Sequence, residues 1–310
     1  MFRVLSIDGG GIRGIIPALV LAEIEARTEK PIASLFDLIA GTSTGGILAC
    51  ALTVPDARPA SDLVELYRTQ GPVIFHRTLW HRATSVEGLI DAKHDAHGLE
   101  TVIARYLGDV RLADATTRLL VTSYDMQDRA PYFFKSWRVA GEPERDLPMK
   151  VAARATSAAP TYFEPLAVPI SGHDKPMALI DGGVFANNPG MCAYAEARRL
   201  MPDEQVTLLS LGTGEHTASI PFSHAEHWGL VEWARPLIDV VFDGVSDTVD
   251  YELHHLLGDG YTRLQRRLEH ASDALDDTSA SNLDALAAQA RLMLEDEAST
   301  LDAVCAALVS

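Results

Sequence analysis

Phe2-Arg3-Val4-Leu5-Ser6-Ile7 runs directly into Asp8-Gly9-Gly10-Gly11-Ile12-Arg13-Gly14, and Ile15 to Arg27 follow with apolar residues at helical spacing. The first run is apolar on both faces, as a strand between two helix layers must be. The glycines read as a tight turn and the third stretch as a helix. Pro17 is acceptable only because it falls near the first turn. A strand feeding a helix through such a turn is a parallel β/α unit, which makes the fold class α/β. Working outward, further strands are expected at Asp37–Ala40, Arg118–Tyr124, Pro131–Lys135, Met177–Ile180 and Val206–Leu211. Helices are expected at Gly45–Leu52, Ser61–Thr69, Leu99–Leu107, Met149–Thr156 and Cys192–Met201. Beyond Gly214 the pattern turns helical only. Val231–Val241 and the stretch after Ser281 carry it, with Ser281 and Asp284 read as a cap and an acid ahead of Leu283–Leu294. The expected organisation is a core at 1–215 and a helical extension at 216–310 packed on the same domain.

The 310 residues are 47% hydrophobic and 22% charged, enough to bury a large core. With 26 basic and 43 acidic residues the net charge is −17, which disfavours nucleic acid and anionic bilayers as electrostatic partners. Cys50, Cys192 and Cys305 lie far apart, which argues against a disulfide framework or zinc knuckle and for a reducing compartment. No apolar run reaches the ~18 residues of a membrane span. The first residues read as a strand rather than a signal peptide. A cytoplasmic location follows as the expectation.

Gly9, Gly11 and Gly14 satisfy the dinucleotide pattern G-x-G-x-x-G. That reading also needs an acid at the end of the second strand to hold a ribose. Here the second strand ends in Gly41-Thr42-Ser43-Thr44-Gly45, so the requirement is unmet. Consecutive glycines before a helix still form an anion nest, suited to a phosphate or to the oxyanion of acyl transfer. Gly41–Gly45 fits G-x-S-x-G, a weak pattern alone, but it lies between a buried strand and a small-residue helix. A strand-to-helix elbow of that kind exposes its serine hydroxyl.

Ser43 needs a base. His224/His227 and His254/His255 read as surface helix residues, which leaves His216 as the histidine candidate. Asp181 is the stronger one. It ends the apolar run Met177–Ile180, ahead of Gly182-Gly183 and Asn187-Asn188-Pro189. An acid at the carboxyl end of a strand reaches the sheet edge where open α/β folds bind ligands.

With these residues the sequence resembles the patatin-like phospholipases. Asp8–Gly14 is similar to the family's glycine-rich loop, Gly41–Gly45 to its nucleophile elbow and Asp181-Gly182-Gly183 to its catalytic-acid motif. Ala155–Phe163 resembles a pocket-shaping segment and Leu209–Gly214 a late core strand, so the matches cover roughly residues 2 to 215. Trp228–Pro236 and Asp243–Leu253 look like small bacterial members. The resemblance implies a three-layer α/β/α fold with a mostly parallel central sheet and a helical tail. It implies a serine acyl hydrolase of lipid esters with a Ser–Asp dyad: Ser43 as nucleophile, Asp181 as general base, and Gly9, Gly10 and Gly11 as oxyanion donors. Arg13 would hold the loop shape. An ordinary aspartate, pKa ~3.9, is a weak base, so burial should raise it and the loop should carry much of the catalysis. No metal or cofactor is required, and neither HExxH nor an EF-hand loop occurs.

The expected partner is a lipid substrate met transiently at a membrane or micelle surface, through local apolar contact rather than charge. Phe75-His76-Arg77-Thr78-Leu79-Trp80-His81-Arg82 mixes aromatics and bases and could border the lipid entrance or pin Trp80 in the core. Trp228 and Trp233 read as core residues. Two rivals stand beside the dyad: an α/β-hydrolase-like esterase using Ser43, Asp181 and His216, and a non-catalytic phosphate- or nucleotide-binding protein using Gly9–Gly14.

Overall fold

The computed structural model describes residues 1–76, 94–169, 175–215, 219–233 and 236–310. Eight strands form one sheet: β1 (Phe2–Ile7), β2 (Leu38–Gly41), β3 (Arg118–Asp125), β4 (Ala130–Lys135), β5 (Leu166–Val168), β6 (Met177–Asp181), β7 (Val206–Leu211) and β8 (Tyr261–Leu264). The main helices are α1 (Ile15–Thr28), α2 (Thr44–Thr53), α3 (Ala60–Ile74), α4 (Ala96–Leu107), α5 (Met149–Thr156), α6 (Gly190–Leu200), α7 (Pro236–Leu257), α8 (Ala280–Asp296) and α9 (Ala298–Val309). The run β3-β2-β1-β7-β8 is parallel throughout, whereas β4 and β6 pair antiparallel with β3, and β5 antiparallel with β6.

Successive residues of the central strands point to opposite faces, and both faces are covered. Leu5, Ile7, Ile39, Val121 and Leu211 pack into a core shared with α1 to α5 and α8. Val4, Leu38, Ala40, Leu120 and Leu208 meet Ala193 and Ala197 of α6 and Val249 and Leu253 of α7. The result is a three-layer α/β/α arrangement with a mostly parallel sheet. Helix α2 forms against its own propensity, because two glycines in its first turn each cost about 1 kcal/mol relative to alanine. Packing explains them: a Cβ on Gly45 would stand 2.2 Å from the Ile7 carbonyl, and one on Gly46 2.7 Å from Thr156.

Register decides what meets at the sheet's carboxyl edge. β4 lies along one edge of β3 from Leu120 to Asp125. The other edge is shared, with β2 on Arg118 to Val121 and β6 on Ser123 to Asp125. Because β2 is parallel to β3 and β6 antiparallel, they approach head on. Gly41 ends opposite Val121 and Asp181 ends opposite Ser123, so only Thr122 separates their partners.

The region beyond Gly214 is not purely helical. Tyr261–Leu264 adds a parallel strand beside β7, in register from Leu208↔Tyr261 to Leu211↔Leu264. Only Tyr261 and Leu264 of its four residues are buried, too short an alternation to read as a strand. The three-residue β5 escapes for the same reason. The cap of α8 is Ser279, whose Oγ accepts from the Asn282 amide at 3.3 Å, rather than Ser281. Trp228 and Trp233 meet edge to face at 5.1 Å, but Trp233 is 36% exposed, so the pair is not core. At the far end, the Arg3 guanidinium donates to the Leu308 and Ala307 carbonyls at 2.9 and 3.0 Å, among the carbonyls that close α9.

Leu286 of α8 is fully buried in the core shared with α1. Leu286→Ala is expected to cost about 2–5 kcal/mol and to shift one cooperative urea transition, read alike by tryptophan fluorescence and circular dichroism. A second, unshifted transition would show that the carboxy-terminal region unfolds independently of the rest.

Candidate active site

Between β2 and α2 the chain must reverse within Thr42 and Ser43. Ser43 takes φ 54° and ψ −124°, a conformation that costs a non-glycine residue about 1–3 kcal/mol. A Cβ on Gly41 would stand 2.2 Å from the Gly45 carbonyl oxygen, so the elbow closes only with glycine there. The Ser43 amide donates to Thr156 Oγ1 at 2.8 Å, and the Thr42 hydroxyl donates to the Ala186 carbonyl at 2.6 Å. Thr122, the residue between the two strand ends, then donates to Thr42 Oγ1 at 2.6 Å. Ser43 stands at the amino terminus of α2, where the helix dipole favours negative charge.

Asp181 is fully buried. Its amide donates to the Ala158 carbonyl at 3.0 Å, and its Oδ1 accepts from the Gly183 amide at 2.7 Å. Burial pushes the Asp181 carboxyl from an ordinary 3.8 up to about 7, although the Ser43 hydroxyl and the Gly183 amide both pull it down. Oδ2 carries no completed hydrogen bond. The serine is therefore near enough to act on the acid electrostatically without a closed bond between them, a looseness common before substrate arrives.

The glycine loop faces the same gap. Gly10 and Gly11 amides donate to no protein acceptor among the described residues, but Gly9 differs. Its N–H is donated to the Asn187 carbonyl at 3.0 Å, and its carbonyl accepts from Thr213 Oγ1 at 2.7 Å. The expectation that Gly9 offers an amide to substrate is corrected: that amide is spent on holding the loop. Gly11 has φ +56° and lies against the Leu275 carbonyl, which also accepts from the Ile12 amide at 2.8 Å. Arg13 is buried, with Nε 3.4 Å from the Gly10 carbonyl, and burial lowers its pKa against the pull of nearby acids.

A cavity opens from Ser43, Gly10 and Gly11, holding about 620 Å³ of empty space including its solvent mouth. Its walls are mainly apolar, with Ile47, Tyr67, Phe75, Phe163, Phe242 and Leu275 among them. Phe75 of the aromatic–basic run thus lines the cavity, while Arg77–Arg82 lie outside the described residues. His216 also lies outside them. His224, His227, His254 and His255 are exposed. A further histidine, His94, is buried with Nε2 2.7 Å from Asp276 Oδ2 and packs against Phe75 and Phe163. Cys50, Cys192 and Cys305 are free thiols.

The structure therefore brings Ser43, Asp181, Gly10 and Gly11 to one place, with Gly9 packed beside Ser43 but its amide engaged by the Asn187 carbonyl. It adds Asn187, Thr156 and Thr213, which hold the backbone, and Phe242 and Leu275, which wall the cavity. Asn187 and Thr156 belong to stretches the sequence already singled out. Phe242 and Leu275 carry no motif.

A family model described as patatin-like phospholipase matches residues 5–193. Patatin-like protein 2 of Arabidopsis thaliana is 34% identical over 93% of this chain and 81% of its own. Patatin-like protein 2 of Oryza sativa subsp. indica is 31% identical over 97% and 86%. A Solanum tuberosum relative named probable inactive patatin-3-Kuras 1 is 33% identical over 91% and 83%. Among solved structures, VipD from Legionella pneumophila aligns with a TM-score of 0.45 and 11% identity, covering 95% of this chain and 67% of that one.

The raised Asp181 pKa has a sign. A carboxyl that binds its proton more tightly when folded costs stability as pH rises from about 4 through about 7, by roughly 4 kcal/mol once ionised. Asp181→Asn removes that penalty. It should raise Tm by about 5–10 °C at pH 8, with the gain fading towards pH 4, as calorimetry would record. A pH-independent difference would mean that the carboxyl does not titrate near 7.

Proposed function

Because this chain belongs to the patatin-like phospholipase family, we propose that it is a serine hydrolase of lipid acyl esters. The observation that carries the reading is the convergence of the strained Ser43 elbow, the buried Asp181 carboxyl and two unspent amides at the mouth of an apolar cavity. Family membership alone would not suffice, since one potato relative is named as probably inactive.

In this reading Asp181 takes the Ser43 proton as Oγ attacks the ester carbonyl carbon. A base whose pKa lies near 7 is half ionised at neutral pH yet basic enough to accept that proton. The carbonyl oxygen becomes an oxyanion and receives the Gly10 and Gly11 amides, with the α2 amino terminus behind Ser43 adding its partial positive charge. Collapse of the intermediate expels the alcohol, which takes the proton back from Asp181 and leaves an acyl-Ser43. Water repeats the sequence with Asp181 as base, releasing the fatty acid and restoring the serine. The acyl chain lies along Ile47, Phe75, Phe163 and Phe242. Each methylene buried there is worth about 0.8 kcal/mol, so kcat/KM should climb with chain length until the cavity is full. No helix among the described residues is long and apolar enough to cross a membrane. Substrate is met at a membrane or micelle surface.

A fluorophosphonate should label the protein stoichiometrically at Ser43, and Ser43→Ala should abolish both labelling and hydrolysis of phospholipids, lysophospholipids and p-nitrophenyl esters. His216→Ala should keep kcat/KM within about twofold; a near-total loss with the fold intact would replace the dyad by a triad. Absence of labelling in the wild type would leave an anion-binding protein.

A further inference from the structure

Asp8 links β1 to the glycine loop, and its side chain is 2% exposed. Its Oδ2 accepts from Arg263 Nη2 at 2.7 Å, while Oδ1 is buried without a hydrogen-bond partner. Burial drives the Asp8 carboxyl upward, and Arg263 opposes that without cancelling it; the carboxylate raises the arginine's own pKa in turn. Arg263 is itself held in place. Its Nη1 donates to Ser210 Oγ on β7 at 2.7 Å, and its Nε lies 3.8 Å from Asp250 Oδ1 on α7. Asp250 accepts in turn from the Tyr261 hydroxyl at 2.8 Å. Arg263 lies in β8, well past residue 193 where the family match ends.

The same stretch grips the loop elsewhere. The Leu275 carbonyl takes the Ile12 amide, and the Gly212–Gly214 turn is fixed by the Gly212 amide on the Leu264 carbonyl of β8 and the Gly214 amide on Oε1 of Gln265, the residue after it. That turn carries Thr213, whose hydroxyl binds the Gly9 carbonyl. Beside the Asn187 carbonyl on the Gly9 amide, these anchors of the loop lead back to residues 261–275 or to the turn they hold.

We propose that Arg263 is a positioning residue for the oxyanion loop, acting through the Asp8 carboxylate. The proposal rests on the hydrolase reading above. Oxyanion donors work only within about 2.7–3.1 Å of the developing charge, and a displacement near 1 Å costs about a hundredfold. Asp8 begins the loop, so a swing of its side chain towards other partners tilts the peptides that carry the Gly10 and Gly11 amides. Removing Arg263 takes away the one guanidinium bonded to the buried Asp8 carboxylate and leaves it only the unbonded pull of Arg13, the condition that drives such a swing.

The test counts folded enzyme by fluorophosphonate titration of Ser43 and expresses kcat per labelled site. Arg263→Met is expected to lower that kcat about a hundredfold with KM within threefold, because only the transition state uses the loop amides. Asp8→Asn combined with Arg263→Met removes the stranded charge and should recover about tenfold, leaving kcat about tenfold below wild type. A purely structural arginine would lower Tm and the labelled fraction but leave kcat per labelled site unchanged, which would overturn the proposal. A double variant no faster than Arg263→Met overturns it too, since the loss would not then run through Asp8. Should the single variant fail to fold, a double variant with wild-type kcat is equally decisive against it. A wild-type protein that takes no label sinks the hydrolase reading itself, and this proposal with it.

Discussion

Two strands of opposite direction end on one edge of β3, and the polar chemistry of this protein gathers around the gap between them. β2 delivers Ser43 and β6 delivers Asp181 because a single residue, Thr122, separates their registers. Shifting β6 by one residue would turn the acid to the opposite face of the sheet. Thr122 fills the gap from β3, donating to Thr42, and leaves Gly182 no room for a side chain. The meeting of Ser43 with Asp181 is therefore a consequence of sheet topology more than of any local motif.

Bringing these groups together is uphill. Ser43 holds a backbone conformation that side-chain-bearing residues rarely adopt, and Asp181 keeps a carboxyl oxygen out of water with no completed hydrogen bond. Both costs are met by the surrounding core, in which Ile7, Ile39 and Val121 are wholly buried beneath α2. A site so destabilised retains its geometry only while that packing is intact, which is the usual relation between an active site and its scaffold.

The central strands were legible because burial on both faces leaves an unbroken apolar run; Phe2–Ile7 and Val206–Leu211 end where the sequence ends them. The elbow was legible because steric crowding around Ser43 admits only glycine two positions away on either side. β8 was not, since four residues with two of them buried do not make a period. Nor could spacing show which loop amide is already engaged, because the Gly9 partner is a backbone carbonyl, and any residue supplies one. Phe242, Arg263 and Leu275 contribute a wall, a charge and a carbonyl. Each of these is chemically ordinary until the fold brings it to the loop.

β1 illustrates what such long-range pairing imposes on a growing polypeptide. Phe2 pairs with Val206, and Arg3 reaches the Leu308 carbonyl. Contacts this distant in sequence close large loops, which slows folding. While the ribosome has released only β1 to β6, Thr213, Arg263 and Leu275 have yet to emerge, so the glycine loop has no outer anchors. A nascent chain thus carries its serine and its acid long before it carries the residues that grip the glycine loop, and the loop takes its folded geometry only once residues 213 to 275 have emerged.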